Sequence, residues 1–464
     1  MSGSGAGHAG NGDEVRLLAN CVIGFGFSRR GFQLGLEREP HLIGCDSGST
    51  DFGPAFLGGG RDPKSKLSSE RDLGIMLGGA KTVEAPLVIG SCGGAGGAPH
   101  LEGFRAMVAE LARGAGMRLK VALVHADLAP ALVHRALDEG RVTSLGPVPD
   151  LTHEAIDAST AIVGMLGAGA LIDALDTGAD VVLAGRCADP AIYACEALRR
   201  GMPASSSWHA AKSIDKGYLA TTEPAKGSPV LGTVRADHFI VEPMLPGVRC
   251  TTESVARVTM HENPDPFAIV QPSGAIAAGD AHYEQLDDRT VRVTGSRFEP
   301  ADCPSIKIEG ARLVGYRAIM IAGMRDPRLL AELDGFLHDY RKLLERVVVS
   351  VGIRPEQWSM RFRPYGHNAV LGDLEPHADQ PPREVGLVVD VVGDTEDIAV
   401  AVAGRAGATG SRLDFTGKLG GGGNFAYPFS PNVFRGGAVY EWSVWHILDV
   451  DDERDPFRIE LVEV

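Results

Sequence analysis

The chain has no Cys-x-x-Cys pair, no apolar run of membrane-spanning length and fewer basic than acidic side chains. Each shortage closes off a class of function. The seven cysteines, Cys21, Cys45, Cys92, Cys187, Cys195, Cys250 and Cys303, are odd in number and widely spaced. That pattern predicts buried, reduced thiols and a cytoplasmic setting rather than a disulfide scaffold. A membrane helix needs about 20 consecutive apolar residues, and residues 1–14 lack the apolar core of a secretory signal, reading as a flexible leader. With 45 Lys and Arg against 60 Asp and Glu, the formal net charge is −15. A non-specific nucleic-acid binder needs the opposite sign, and an anionic membrane finds no attraction here. Anionic ligands must therefore be held by local basic groups and backbone amides. No HExxH, EF-hand loop, paired-cysteine zinc motif or GxSxG elbow occurs, so neither a metal nor a cofactor is predicted.

Among the 464 residues, 44% are hydrophobic and 60 are glycine, without a strict repeat. The first half repeats an apolar run, a Gly-rich turn and an Ala/Leu-rich amphipathic stretch. Strands are predicted over 85–90, 119–124 and 180–183, with helices over 102–113, 130–139, 153–178 and 190–200. Alternating strands and helices predict an α/β domain, Rossmann-like and doubly wound, on a mostly parallel sheet. From about 232 to 321 the alternation shortens to two residues, predicting an antiparallel insertion. A periodic helix opens at Asp326-Pro327 and runs into a strand over 347–351. A final unit follows, with a strand over 384–392, a helix over 395–403 and a strand over 438–447. The predicted organisation is a leader at 1–14, an α/β ligand-binding domain at 15–355 and a small α+β, ferredoxin-like domain at 356–464.

Ligands of a parallel sheet bind beyond the C-terminal ends of its strands, and three such ends draw attention. The first places Asp46 and Asp51 around Ser47, Gly48, Ser49 and Thr50. Two carboxylates among hydroxyls suit acid–base chemistry, although Asp and Ser also build ordinary turns. The second is the glycine-rich loop after the 85–90 strand. Ser91, Cys92, Gly93, Gly94, Gly96 and Gly97 form an expected anion loop at a helix start, with Cys92 either a packed residue or a nucleophile. Its spacing is not that of a dinucleotide fingerprint, and it lacks the Lys-Ser/Thr of a P-loop. The third is the GRCAD segment at 185–189, where Arg186 suits a carboxylate and Asp189 either caps the next helix or joins the chemistry. His125 and Asp127 form a weaker acid–base candidate.

The GRCAD segment, YGHNAV at 365–370, GNFAYPFSP at 423–431, Val439-Tyr440 and Trp445-His446 together resemble the acyclic terpene utilisation (AtuA) family. The resemblance runs from Leu17 to the end, with residues 26–30 and 46–54 marking a divergent subgroup. It implies a large α/β domain with a ferredoxin-like one and a catabolic setting, with a carboxylic acid or its CoA thioester as substrate. CoA then enters only as part of the substrate.

The resulting expectation is a lyase, hydratase or isomerase. Arg186 and the 93–97 amides hold the anion, Asp46, Asp51 and Asp189 do the chemistry, and Ser47, Ser49, Thr50, Ser91, Cys92 and Asn424 contact substrate. Two alternatives stand beside it: phosphate transfer on the 46–50 loop, and a non-catalytic subunit that needs a short partner protein. A homo-oligomer is expected, with the 423–431 tail as contact.

Overall fold

The computed structural model describes residues 14–20 and 22–464; nearly all of the predicted leader, and Cys21, lie outside the described residues. The chain divides into two units, residues 1–312 with 442–464 and residues 313–441.

The first unit is built on a mixed sheet. Its spatial order is His282–Gln285, Val291–Thr294, His238–Pro243, Val230–Val234, Val15–Ala19, Leu42–Asp46, Leu87–Gly90, Val181–Ala184, Lys120–His125 and Arg458–Glu463. The five strands from Val15–Ala19 to Lys120–His125 run parallel, and antiparallel strands extend them on both sides. The expectation of a mostly parallel sheet therefore holds only at its centre. Short runs such as LVIG and VVLA are fully buried, as strands covered on both faces must be. Leu17, Leu42, Val88 and Val182 pack into one core with the Ala168–Asp176 and Ala191–Arg199 helices. Their neighbours Leu18, Ile43, Ile89 and Leu183 pack into another with the Lys66–Val83 and Ala98–Gly114 helices.

The continuous helix expected over 153–178 is two helices, His153–Asp157 and Ala168–Asp176, around the strand Ala161–Gly164. Ile162 and Val163 are buried there, paired with Gly310 and Glu309 of the strand Ser305–Met324, so sheet pairing overrides the alanine-rich helical pattern. Within the expected insertion, Ala268–Gln271, Gly274–Ala277 and Arg297–Pro300 form a separate antiparallel sheet, while Val291–Thr294 joins the main one.

In the second unit, Val385–Gly393 lies between Trp358–Tyr365 and the Tyr316–Met324 part of a long strand, antiparallel to both. The helices Leu333–Ser350 and Glu396–Gly410 complete it. The strand expected over 347–351 is the last turn of the first of these helices. Leu344 and Val348, one turn apart and both buried, keep the β-branched run helical. The boundary expected near 355 lies inside this unit, and residues 442–464 belong with the first. The expected terminal strand is longer, Val433–Asp449, and another follows it, Arg458–Glu463.

Candidate active site

Leu42–Asp46, Leu87–Gly90 and Val181–Ala184 are adjacent and parallel, so the three loops that leave them meet. The Ser47 amide donates to Gly90 O, Ser91 N to Gly185 O, and Arg186 N to Gly96 O.

Asp46 ends its strand and is buried. Its Oδ1 accepts from Gly48 N at 3.0 Å, while Oδ2 lies 3.6 Å from Lys216 Nζ. Lys216 also donates to Asp189 Oδ2 and comes within 3.8 Å of Glu262. Burial, followed by the neighbouring Asp189 charge, pushes the Asp46 carboxyl up to about 7. Burial also opposes ionisation of Asp189, but Lys216 and Arg186 outweigh it and hold this carboxylate below its ordinary range. Two neighbouring carboxyls driven apart in this way divide into a proton-exchanging group and a permanent anion. Lys216 stays protonated: burial disfavours its charge, but Asp189, Asp46 and Asp215 more than compensate.

A second buried ion group lies alongside. Glu309, on the Ser305–Met324 strand, accepts from Arg186 Nε at 2.8 Å, Thr50 Oγ1 at 2.8 Å and Lys307 Nζ at 2.6 Å. Lys307 also sits 3.6 Å from the Trp445 ring centroid, and burial pulls its pKa down against the pull of Glu309. Lys212 pairs with Asp215 at 3.0 Å. Asp46 Oδ2, Ser47 Oγ, the Tyr193 hydroxyl and Asp215 Oδ1 are buried without a hydrogen bond among the described residues. Such a concentration of unmet polar atoms is uncommon in a purely structural core.

A cavity of about 360 Å³ opens onto this ground, with Ser49, Asp51, Arg186, Asp189, Lys212 and Lys307 in its wall. A neighbouring one of about 390 Å³ touches Asp46, Gly48, Phe25, Phe52, Lys216 and Leu219. The larger hollow of about 530 Å³, lined by Ala85, Pro86, Leu119 and Asp180, lies at the opposite strand ends. It holds none of these groups.

The remaining expected residues are placed as follows. Asp51 is exposed, its amide donating to Ser49 Oγ, and it borders both cavities. Arg186, expected to face ligand, borders the cavity but spends Nε on Glu309 and Nη1 on Ser91 Oγ and Cys187 O. Asp189 does not cap the next helix; Pro190 occupies the cap position and the carboxylate serves Lys216. Cys92 is buried, and burial raises its thiol pKa further from thiolate formation, so it is packed rather than nucleophilic. In the second unit, Asn424 donates to Gly410 O and Leu413 O. Phe425 of the tail fills that unit's core, while Phe429 remains exposed. His125 pairs with Glu460, and Asp127 accepts from Ala98 N, so these two do not form an acid–base pair.

Part of the glycine loop is engaged within the fold. The amides of Ser91, Cys92, Gly94 and Gly96 all donate to carbonyls within the fold. Gly96 has φ +67°, and a Cβ there would lie 2.1 Å from Arg186 N. The glycine is required for the close approach of two backbones. Gly96→Ala should therefore lose about 2–3 kcal/mol in urea unfolding. Gly103→Ala, in open helical space, should gain about 0.5–1 kcal/mol; equal effects would contradict the packing role.

Lys212, Asp215, Lys216, Lys307 and Glu309 were not anticipated as site residues. A signal existed for the first three: charges spaced for one helical face at the end of the Ala/Ser-rich helix Ala204–Ile214.

Residues 91–200 match the family model described as acyclic terpene utilisation family protein AtuA. The match is consistent with an AtuA family protein. No curated protein and no solved structure matches the chain. The AtuA-matching stretch contains the 91–97 loop, Arg186 and Asp189. Asp46, Lys216 and Glu309 lie outside it.

Proposed function

We propose that the protein is a catabolic enzyme of acyclic terpene utilisation, acting on a small carboxylic acid or its CoA thioester by lyase, hydratase or isomerase chemistry. The observation that carries this reading is Asp46: a buried carboxyl brought to about 7, next to a low-pKa Asp189 and a protonated Lys216. A group with its pKa near the working pH serves best as a general base or acid. In the proposed step, ionised Asp46 takes a proton from the carbon next to the substrate carbonyl. The Lys216 ammonium steadies the negative charge that develops on the oxygen, and Asp189 keeps Lys216 charged and oriented. Asp46 then returns the proton to the same carbon, to a neighbouring one or to a leaving group; these fates distinguish the reaction classes. Lys307 and Ser49 at the cavity wall take the substrate carboxylate, in place of Arg186. Arg186 instead holds Glu309, and through it Lys307, in position. This makes it a positioning residue.

We read the central parallel strands as a doubly wound, Rossmann-like core and the second unit as ferredoxin-like. The buried, unpaired thiols of Cys92, Cys187, Cys195 and Cys250 favour a cytoplasmic setting, and no described helix is long and apolar enough to cross a membrane. A homo-oligomer is part of the same proposal.

The test works whichever product forms. A panel of branched and straight carboxylic acids and their CoA thioesters is screened by thermal shift, where a ligand at about 100 times its Kd adds about 2.7 kcal/mol. Binders are then incubated in D₂O and followed by NMR. The expected result is deuterium entering next to the carbonyl, with weakened binding in Lys307→Met. Absence of any binder, or exchange undiminished in Asp46→Asn, would overturn the reading.

A further inference from the structure

The wall of the cavity of about 390 Å³ is of two kinds. Asp46 and Lys216 bring charge to it, while Val22, Phe25, Phe52 and Leu219 bring hydrocarbon. Phe25 is 59% exposed and Phe52 43%, and neither ring belongs to the hydrophobic cores of the first unit. Singly exposed apolar side chains are ordinary. Two aromatic rings gathered at one concave site beside a buried carboxyl are the composition of a ligand pocket.

Both rings are carried on segments that are tied down. The amides of Gly24 and Gly26, on either side of Phe25, donate to Asp72 Oδ2 at 2.9 and 3.1 Å. Asp72 is buried on the Lys66–Val83 helix, and its other oxygen accepts from Arg71 Nε at 2.8 Å. Ile23 N donates to Asp46 O at 2.9 Å, which fixes the same loop to the end of the Asp46 strand. Phe52 meets Phe56 edge-on, with centroids 6.2 Å apart and 75° between planes. Lys64 Nζ stands 5.8 Å from the Phe52 centroid, within cation–π range. Lys64 also joins the two segments: a Cβ on Gly24 would lie 3.1 Å from its Cδ, and its Nζ donates to Ser47 O at 2.6 Å. Rings held in place before a ligand arrives lose little freedom on binding it.

We propose that Phe25 and Phe52 determine specificity by binding a hydrocarbon chain carried on the reacting carbon of the substrate. They select acids with several carbons beyond that position over short or dicarboxylic ones. The proposal deepens the reading of Asp46 as the base and rests on it for the place of the reacting carbon. Ser49, Asp51 and Glu262 border both this cavity and the one that holds Lys307, so the two are neighbours and one ligand can occupy both. The carboxylate then lies with Lys307 and the chain with the two rings. A second carboxylate on the ring side would meet Asp51 and Glu262 and lose water to apolar surface. A hydrocarbon chain meets neither obstacle and gains from leaving water.

The test titrates the full chain by calorimetry with acetate, butyrate, hexanoate, octanoate and succinate, as free acids and as CoA thioesters. In the parent, Kd should fall about fourfold for each added methylene, and succinate should bind more weakly than hexanoate. That dependence on length should flatten in Phe25→Ala and more so in Phe25→Ala/Phe52→Ala. Phe25 is exposed, so the single variant should keep the parent Tm. Lys307→Met should weaken every member by a common factor and leave the dependence on length intact. Affinity independent of length in both series, or a length dependence that survives in the double variant, overturns the proposal while leaving Asp46 as the base. A length dependence lost in the double variant, together with deuterium exchange undiminished in Asp46→Asn, supports the hydrocarbon site and overturns the reading of Asp46.

Discussion

Asp46→Asn is expected to lower turnover by about 10²–10⁴-fold and yet to leave the protein more stable than the parent above neutrality. The two effects have one origin. The folded chain keeps a proton on Asp46 up to about pH 7, because burial and then Asp189 disfavour its charge, whereas the ordinary value is 3.8. Between those limits the folded state binds more protons than the unfolded state, so this group's contribution to stability declines as pH rises. The steepest decline for one group is about 1.4 kcal/mol per pH unit. Asparagine is uncharged throughout and escapes it. Urea unfolding at pH 4, 6 and 8 should show the variant's advantage growing with pH. In the parent, activity should rise with pH as Asp46 ionises, and that limb should vanish in the variant. A variant less stable than the parent at pH 8 would remove the physical basis for Asp46 as the base.

Glu309→Gln is expected to destabilise the fold by about 3–5 kcal/mol, the usual effect of breaking a buried ion group by removing one partner. Glu309 is fully buried, and its two oxygens serve Arg186, Thr50 and Lys307. Glutamine keeps one acceptor oxygen and turns an NH₂ toward donors, leaving buried positive charge uncompensated. Burial alone would raise the Glu309 pKa, but Arg186 and Lys307 bring it down to about 2. Its stabilising contribution is therefore complete above its ordinary value of 4.5 and lost as pH falls toward 2. Chemical denaturation at pH 7 and pH 3 should show the gap between parent and variant narrowing in acid. Glu102→Gln, at an exposed helix position, should stay within about 0.5 kcal/mol. A Glu309 effect of similar size would mean that the buried group is not stabilising.

What the sequence makes legible is local. The LVIG and VVLA runs announce strands covered on both sides, and the acidic loop after Leu42–Asp46 announces a site at a strand end. Asp46 and Asp51 look alike in sequence, five residues apart, yet one is buried beside Lys216 and the other is exposed. The difference comes from what packs over the loop, and those residues lie far along the chain. Glu309 was beyond reach for the same reason, and the helical spacing of Lys212, Asp215 and Lys216 could mark a charged face but not its partner, since nothing near Asp46 or Arg186 signals a partner from another strand or helix. The glycine loop reads in two ways from sequence. Glycines that let a backbone approach a phosphate are the same glycines that let it approach another backbone, and at Gly96 the second use is realised. The β-branched run at 347–351 failed through propensity: a stripe one helical turn apart outweighed the strand preference of valine.

The strand Arg458–Glu463 pairs with Lys120–His125 along the length of both, and His125 and Glu460 are 335 positions apart in sequence. Contacts of such separation form slowly, because a long loop must close before any pairing energy is gained. Until residues 458–463 arrive, Lys120–His125 is an open edge with free amides and carbonyls, able to pair with the same edge of another nascent molecule. The rate at which that final strand docks, more than the strength of the finished core, will set how much of the protein reaches its native state at high concentration.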